Sequence, residues 1–79
     1  MRARVFVTLK PSVFDPQGRT IVDALQSLGY GGVADVRPGK YFELDLATSE
    51  RAQAERLAAD VADKVLANPV IESYRIEVD

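Results

Sequence analysis

Apolar residues change their spacing repeatedly along this chain, and the order of those changes restricts the fold more than any other feature. Ala3, Val5, Val7 and Leu9 alternate with Arg4, Phe6, Thr8 and Lys10, the period of two expected where one face of a strand is buried. Pro11 ends that strand. Ile21, Leu25 and Leu28, helped by Val22 and Ala24, then fall at helical spacing. Asp15-Pro16 marks the start of this helix: the Asp carboxylate accepts an orphan backbone N–H, and proline lacks the N–H that would otherwise be left over. Gly29 stands where a left-handed C-terminal cap is needed, with Tyr30 folding back on Leu25. Val33 to Arg37 predicts a second strand, Pro38-Gly39 a turn at a sheet edge, and Lys40 to Ala47 a third strand. In that third strand Phe42, Leu44 and Leu46 face inward while Tyr41, Glu43 and Asp45 face outward. Thr48 or Ser49 caps a second helix, whose Glu50 opposes the helix dipole favourably and whose stripe is Ala54, Leu57, Ala58, Val61 and Val65. Asn68-Pro69 stops it, because the residue before proline is pushed out of helical geometry. Val70 to Val78 is the last strand, with Tyr74, Ile76 and Val78 inward and Ser73, Arg75 and Glu77 outward.

The order is βαββαβ, two similar halves that together match the ferredoxin-like α+β sandwich. One domain over residues 1–79 is expected, with a four-stranded antiparallel sheet and right-handed crossovers that put both helices on one of its faces. The other face then displays Arg4, Phe6, Thr8, Asp35, Arg37, Tyr41, Glu43, Asp45, Arg75 and Glu77. Phe6 and Tyr41 fall on neighbouring strands among arginines, the composition of an interface centre. A chain of 79 residues without cysteine has no covalent staple. So small a core supplies only about 3 to 5 kcal/mol, so a homodimer or higher homo-oligomer is expected to add stability.

The same composition removes most function classes. Net charge is -2, with both signs interspersed, which disfavours nucleic acid because phosphates select a basic stripe. No run approaches the roughly 20 apolar residues of a membrane span, and Met1 leads straight into the first strand without an apolar signal region, so a cytoplasmic location is expected. Without Cys or His there is no disulfide, no His-based metal site and no Ser-His or Cys-His nucleophile pair. No catalytic, cofactor or metal residue is assigned. Glu43 and Asp45 share a strand face but nothing indicates a pocket around them, and Asp60 and Asp63 are too sparse for a metal. Arg37-Pro38-Gly39-Lys40 could hold an anion, although a glycine turn between strands with solvated cations is the better account of it. The interface candidates are Phe6, Arg37, Lys40, Tyr41 and Arg75.

Taken together, Val7-Thr8-Leu9-Lys10, Asp15-Pro16-Gln17-Gly18, Leu28-Gly29-Tyr30, Asp35-Val36-Arg37, Gly39-Lys40 and Asn68-Pro69-Val70-Ile71-Glu72 resemble the PurS family, the small subunit of phosphoribosylformylglycinamidine (FGAM) synthase. The resemblance runs through essentially the whole chain. Departures are Pro38 between Arg37 and Gly39, the Gly31-Gly32 pair, and Ser73 where an acidic residue is commoner. The resemblance implies an accessory subunit without catalytic residues. It would act as a dimer that joins a PurQ-like glutaminase to a PurL-like synthetase and helps ammonia pass between them. ATP, Mg and glutamine would be used by those partners and none bound by this chain. The missing Cys and His agree with this, since no glutaminase nucleophile pair can form.

Two other classes share the strand and helix order. An ACT-like regulatory domain binds amino acids at dimer interfaces, and an amino-acid-dependent rise in melting temperature would mark it. An acylphosphatase-like hydrolase needs an anion-binding arginine loop after the first strand, and Lys10-Pro11-Ser12 offers no arginine.

Overall fold

A computed structural model describes all residues 1–79. Strand β1 (Arg2–Leu9) is central, with β2 (Gly39–Asp45) and β3 (Glu72–Val78) antiparallel on either side, so the sheet order is β2-β1-β3. The registers pair Val5 with Phe42 and with Ile76, and Phe6 with Tyr41 and with Arg75. Period-two alternation in β1 has the expected result: Ala3, Val5 and Val7 are fully buried, while Phe6 and Arg4 lie on the other face. Helix α2 (Arg51–Val61) continues through a π-helical turn, Ala62–Leu66, closed by the Ala67 N–H to the Ala62 carbonyl at 2.9 Å. Its small side chains Ala54, Ala58 and Ala62 let it sit close on β1 and β3. Phe42, Leu44, Leu66 and Ile76 complete the core around Val5 and Val7.

Helix α1 (Pro16–Ser27) starts and stops as its sequence dictates. The Asp15 carboxylate accepts from the Gly18 N–H at 3.1 Å, and Asp15 is buried. At the other end Gly29 adopts φ +96°. The Gly29 N–H then reaches the Gln26 carbonyl and the Tyr30 N–H the Leu25 carbonyl, the paired bonds of a Schellman motif. Helix α2 is capped differently from expectation. Glu50 is its N-cap without a side-chain bond, and the Thr48 hydroxyl instead accepts from the Glu50 N–H and donates to Gln53 Oε1.

Two expectations fail together. Val33–Arg37 is not a strand, and α1 does not lie on the sheet; the sheet has three strands and only α2 covers it. The cause is the Pro38-Gly39 step. A hairpin needs at least two residues in its loop, yet Gly39 already pairs with Thr8 as the first residue of β2, leaving Pro38 alone between the segments. The chain therefore runs straight on instead of reversing. Residues 33–38 accompany α1 back along its length: Gln26 Nε2 donates to the Val33 carbonyl, and Gly18 packs on Val36 and Pro38. The last strand also begins later than expected, at Glu72, because Asn68–Ile71 form a closed turn.

Helix α1 and residues 33–38 thus make an arm projecting beyond the sheet. The molecule measures 48 × 25 × 13 Å with a radius of gyration of 15.8 Å. A compact chain of this length has a radius of about 12 Å. Only 10 of 79 residues are buried, so the single chain is short of core. No helix is long and apolar enough to cross a membrane.

Candidate functional site

The open face of the sheet holds the first group of candidate residues. Strand register puts Phe6 between Tyr41 on β2 and Arg75 on β3. The Phe6 and Tyr41 rings lie 5.1 Å apart at a 36° tilt, and the Arg75 guanidinium carbon sits 4.3 Å from the Phe6 centroid. Each contact is of the kind that adds about 0.5 to 1 kcal/mol at an exposed site. Around this centre lie cross-strand ion pairs: Arg2 with Glu43, and Arg4 with Glu77 and Asp79. Arg75 also pairs with Glu77. The Tyr41 hydroxyl donates to Glu43 Oε1 at 2.9 Å. Loss of water around the phenol, then that hydrogen bond and the Glu43 charge, raise the Tyr41 pKa above the ordinary tyrosine value. The patch is an aromatic centre inside a ring of paired charges, a composition that interface centres share.

Arg37 and Lys40 do not join it. Arg37 lies at the root of the arm, where its guanidinium donates to the Lys10 carbonyl at 3.0 Å and the Val13 carbonyl at 3.5 Å. Lys40 is on the helix-facing side of β2 and pairs with Glu72 at 3.4 Å. Asp35 is likewise on the arm and off the sheet. Both cations of the suspected anion loop therefore have partners within the chain.

These two residues belong to a second group, which composition alone did not single out. The motif segments converge where the arm joins the sheet, around a cleft of about 270 Å³ lined by Thr8, Asp15, Gln17, Pro38, Lys40 and Glu72 among others. Each motif has a local physical reason. Gly18 is required because a Cβ there would fall within 3.0 Å of the Val36 carbonyl oxygen, and Gly39 because one would collide with the Val7 carbonyl oxygen. The largely buried Glu72 carboxylate accepts from the Asn68 N–H at 2.7 Å, while Asn68 Oδ1 accepts from the Val70 N–H, so Asn68-Pro69-Val70-Ile71-Glu72 is a self-closed turn. Glu72 was legible only as part of a motif, since its contact with Lys40 spans the sheet.

Comparison with known proteins covers the whole chain, this junction included. A family model described as PurS, phosphoribosylformylglycinamidine (FGAM) synthase, matches residues 2–79. The chain belongs to the PurS family. It is similar to the solved PurS of Bacillus subtilis, at 47% identity and TM-score 0.87 over 99% of this chain and 96% of that one. It is also similar to PurS of Methanocaldococcus jannaschii, at 35% identity and TM-score 0.89 over 99% of this chain and 94% of that one. That protein is described as one of the subunits of formylglycinamide ribonucleotide amidotransferase in the purine biosynthetic pathway. A chain in the solved PurLQS structure of Thermotoga maritima matches at 26% identity and TM-score 0.88, over 96% of this chain and 93% of that one. Agreement over so much of each chain includes the arm, so the extended form is shared by these family members.

Proposed function

We propose that this chain is the non-catalytic accessory subunit of an FGAM synthase. In this reading it bridges a PurQ-like glutaminase and a PurL-like synthetase during the ATP- and glutamine-dependent conversion of formylglycinamide ribonucleotide to FGAM. The observation that carries the reading is the full-length likeness to a chain of the Thermotoga PurLQS structure. Chemistry within the chain supports it. With no Cys and no His it holds no glutaminase nucleophile pair, and its most distinctive surface, Phe6 with Tyr41 and Arg75, is an aromatic patch on the open sheet face and not a cavity.

A bridging role needs no reactive side chain. Ammonia released to water at neutral pH is mostly protonated and no longer nucleophilic, so a subunit that excludes water where glutaminase and synthetase meet raises the yield of transfer. ATP, Mg and glutamine are bound by the partners. The chain acts as a homodimer in the cytoplasm, because its sparse core gains from burial against a second copy.

The test is co-elution. The chain is mixed with PurL- and PurQ-like subunits of its own organism, with glutamine and Mg-ADP supplied, and passed over a sizing column. One ternary peak is expected. Elution of this chain by itself under those conditions would remove the proposal. Phe6→Asp is expected to weaken the ternary peak while leaving the free chain's circular dichroism unchanged.

A further inference from the structure

We propose that two copies of this chain join their sheets by pairing β3 with β3, antiparallel, about a two-fold axis at Ile76. The contact rests on the self-association proposed above and deepens it by naming an edge. The arm, β2 and the open face of the sheet stay free for other partners.

β3 is an end strand, paired on one side only, with β1. The Asp79 N–H donates to the Arg2 carbonyl and the Lys10 N–H to the Ile71 carbonyl. Backbone direction alternates along a strand, so the odd-numbered residues of β3 turn their N–H and C=O groups to β1 and the even-numbered ones turn theirs outward. At the ends these outward groups have partners: the Glu72 N–H donates to the Asn68 carbonyl, and the Val78 carbonyl accepts from Arg51. Between them Tyr74 and Ile76 present bare amides. The edge also lacks the usual devices that keep sheets apart. Its register with β1 runs without a bulge from Glu72 to Val78, and the strand holds no Pro, Gly or Lys. Its charges on the open face, Arg75 and Glu77, are opposite in sign and two residues apart.

That spacing selects the register. Outward residues must lie opposite outward residues, so a symmetric pair centres on a residue and not between two. Centring on Arg75 or on Glu77 sets like charges directly opposite, which is destabilising. Centring on Tyr74 puts Arg75 opposite Ser73 and leaves Glu77 and Val78 opposite no part of β3. Centring on Ile76 places each Arg75 opposite the partner's Glu77, in the close non-hydrogen-bonded position, twice by symmetry. Backbone bonds then form at Ile76 against Ile76 and at Tyr74 against Val78 on each side of the axis. Tyr74, 37% exposed in the single chain, gains the partner's Val78 as its neighbour, an aromatic opposite a β-branched residue.

The two three-stranded sheets become one. Helix α2 packs on β3 and β1, so both copies of α2 cover the same face of the joined sheet. The two Phe6–Arg75 patches share the other face, about 15 Å apart across the seam. Pairing at this edge therefore turns one docking patch into a matched pair on a single surface.

Tyr74→Pro tests the edge. The Tyr74 N–H faces away from β1, so proline costs no ladder bond within the chain while it removes one across the seam and blocks the partner strand. Light scattering gives the mass, and circular dichroism checks the fold. At a concentration where the native chain is fully associated, its mass is expected to be twice that of Tyr74→Pro. Arg75→Glu sets like charges opposite and should raise the dissociation constant about tenfold or more. Adding Glu77→Arg to it restores opposite charges and should restore association. The native chain has no cysteine, so cross-linking gives a readout that does not depend on the proline variant folding. Arg75→Cys and Glu77→Cys chains are refolded together, oxidised and run on a non-reducing gel, since the close position suits a disulfide. A covalent dimer of two 8.7 kDa chains is expected from the mixture and from neither variant alone. Linkage by either variant alone overturns the axis at Ile76. A native dimer that Tyr74→Pro does not halve and the mixture does not link leaves the homodimer standing and overturns pairing at β3. A native chain that stays single overturns both.

Discussion

Replacing Gly18 by alanine sets two opposed effects against each other and tests the packing of α1 on residues 33–38. Helix propensity alone favours the change, since glycine within a helix costs about 1 kcal/mol relative to alanine. The structure opposes it. The new Cβ would fall within 3.0 Å of the Val36 carbonyl oxygen and at 3.2 Å from Pro38 Cδ, and a backbone carbonyl cannot rotate aside as a flexible side chain can. Helix α1 and residues 33–38 must separate, which places the cost in the upper part of the range for overpacking, about 2 to 3 kcal/mol. The net loss is about 1 to 2 kcal/mol. For a domain of this size that lowers the melting temperature by about 5 to 15 °C. Thermal circular dichroism at one fixed protein concentration is the assay, because association shifts the midpoint. Gly31→Ala is the control: a Cβ there meets nothing within 4 Å, so no loss is expected. A Gly18→Ala variant as stable as the native chain, or more so, would show that propensity wins and that the close approach is wrong.

Asp15→Ala removes the α1 cap and is expected to lower stability by about 1 kcal/mol, read by urea denaturation. Glu72→Ala takes an acceptor from the Asn68 N–H and the partner from Lys40. A loss of about 1.5 to 3 kcal/mol is expected, as for a hydrogen bond to a charged group. Val5→Ala empties a fully buried site between Phe42 and Ile76 and should cost about 2 kcal/mol, counting two methyl groups before any cavity is added. Tyr41 binds its phenolic proton more tightly folded than unfolded, so stability should begin to fall as pH rises past the ordinary tyrosine value. Glu43→Gln should bring the tyrosinate absorbance transition of Tyr41 to lower pH, since the carboxylate holds that proton.

Much of the fold could be read locally. Asp15-Pro16 and Gly29-Tyr30 bound α1 as expected because caps depend on a few adjacent residues. The alternation in β1 sorts Val5 and Val7 from Phe6 because the strand period is strictly two. The same alternation misled at Val33–Arg37, since periodicity reports which residues could pair and not whether a neighbour is within reach. The decisive fact was one of length: register places Gly39 inside β2, leaving no room to turn. For the site, Phe6, Tyr41 and Arg75 were found as a group because all lie outward on neighbouring strands. The partner of Lys40 was not legible, because Glu72 is far away in sequence and only the sheet brings the two together. Arg37 reads as a free cation until the path of the arm brings the Lys10 carbonyl beneath it.

The bridging role is tested most directly by reconstituted FGAM formation, with and without this chain, using PurL- and PurQ-like partners and either glutamine or ammonium as nitrogen donor. The account predicts that leaving out the chain abolishes product from glutamine while the rate with saturating ammonium remains, because only delivery of ammonia depends on the bridge. An unchanged glutamine-dependent rate without the chain, or an equal loss with both donors, would contradict it.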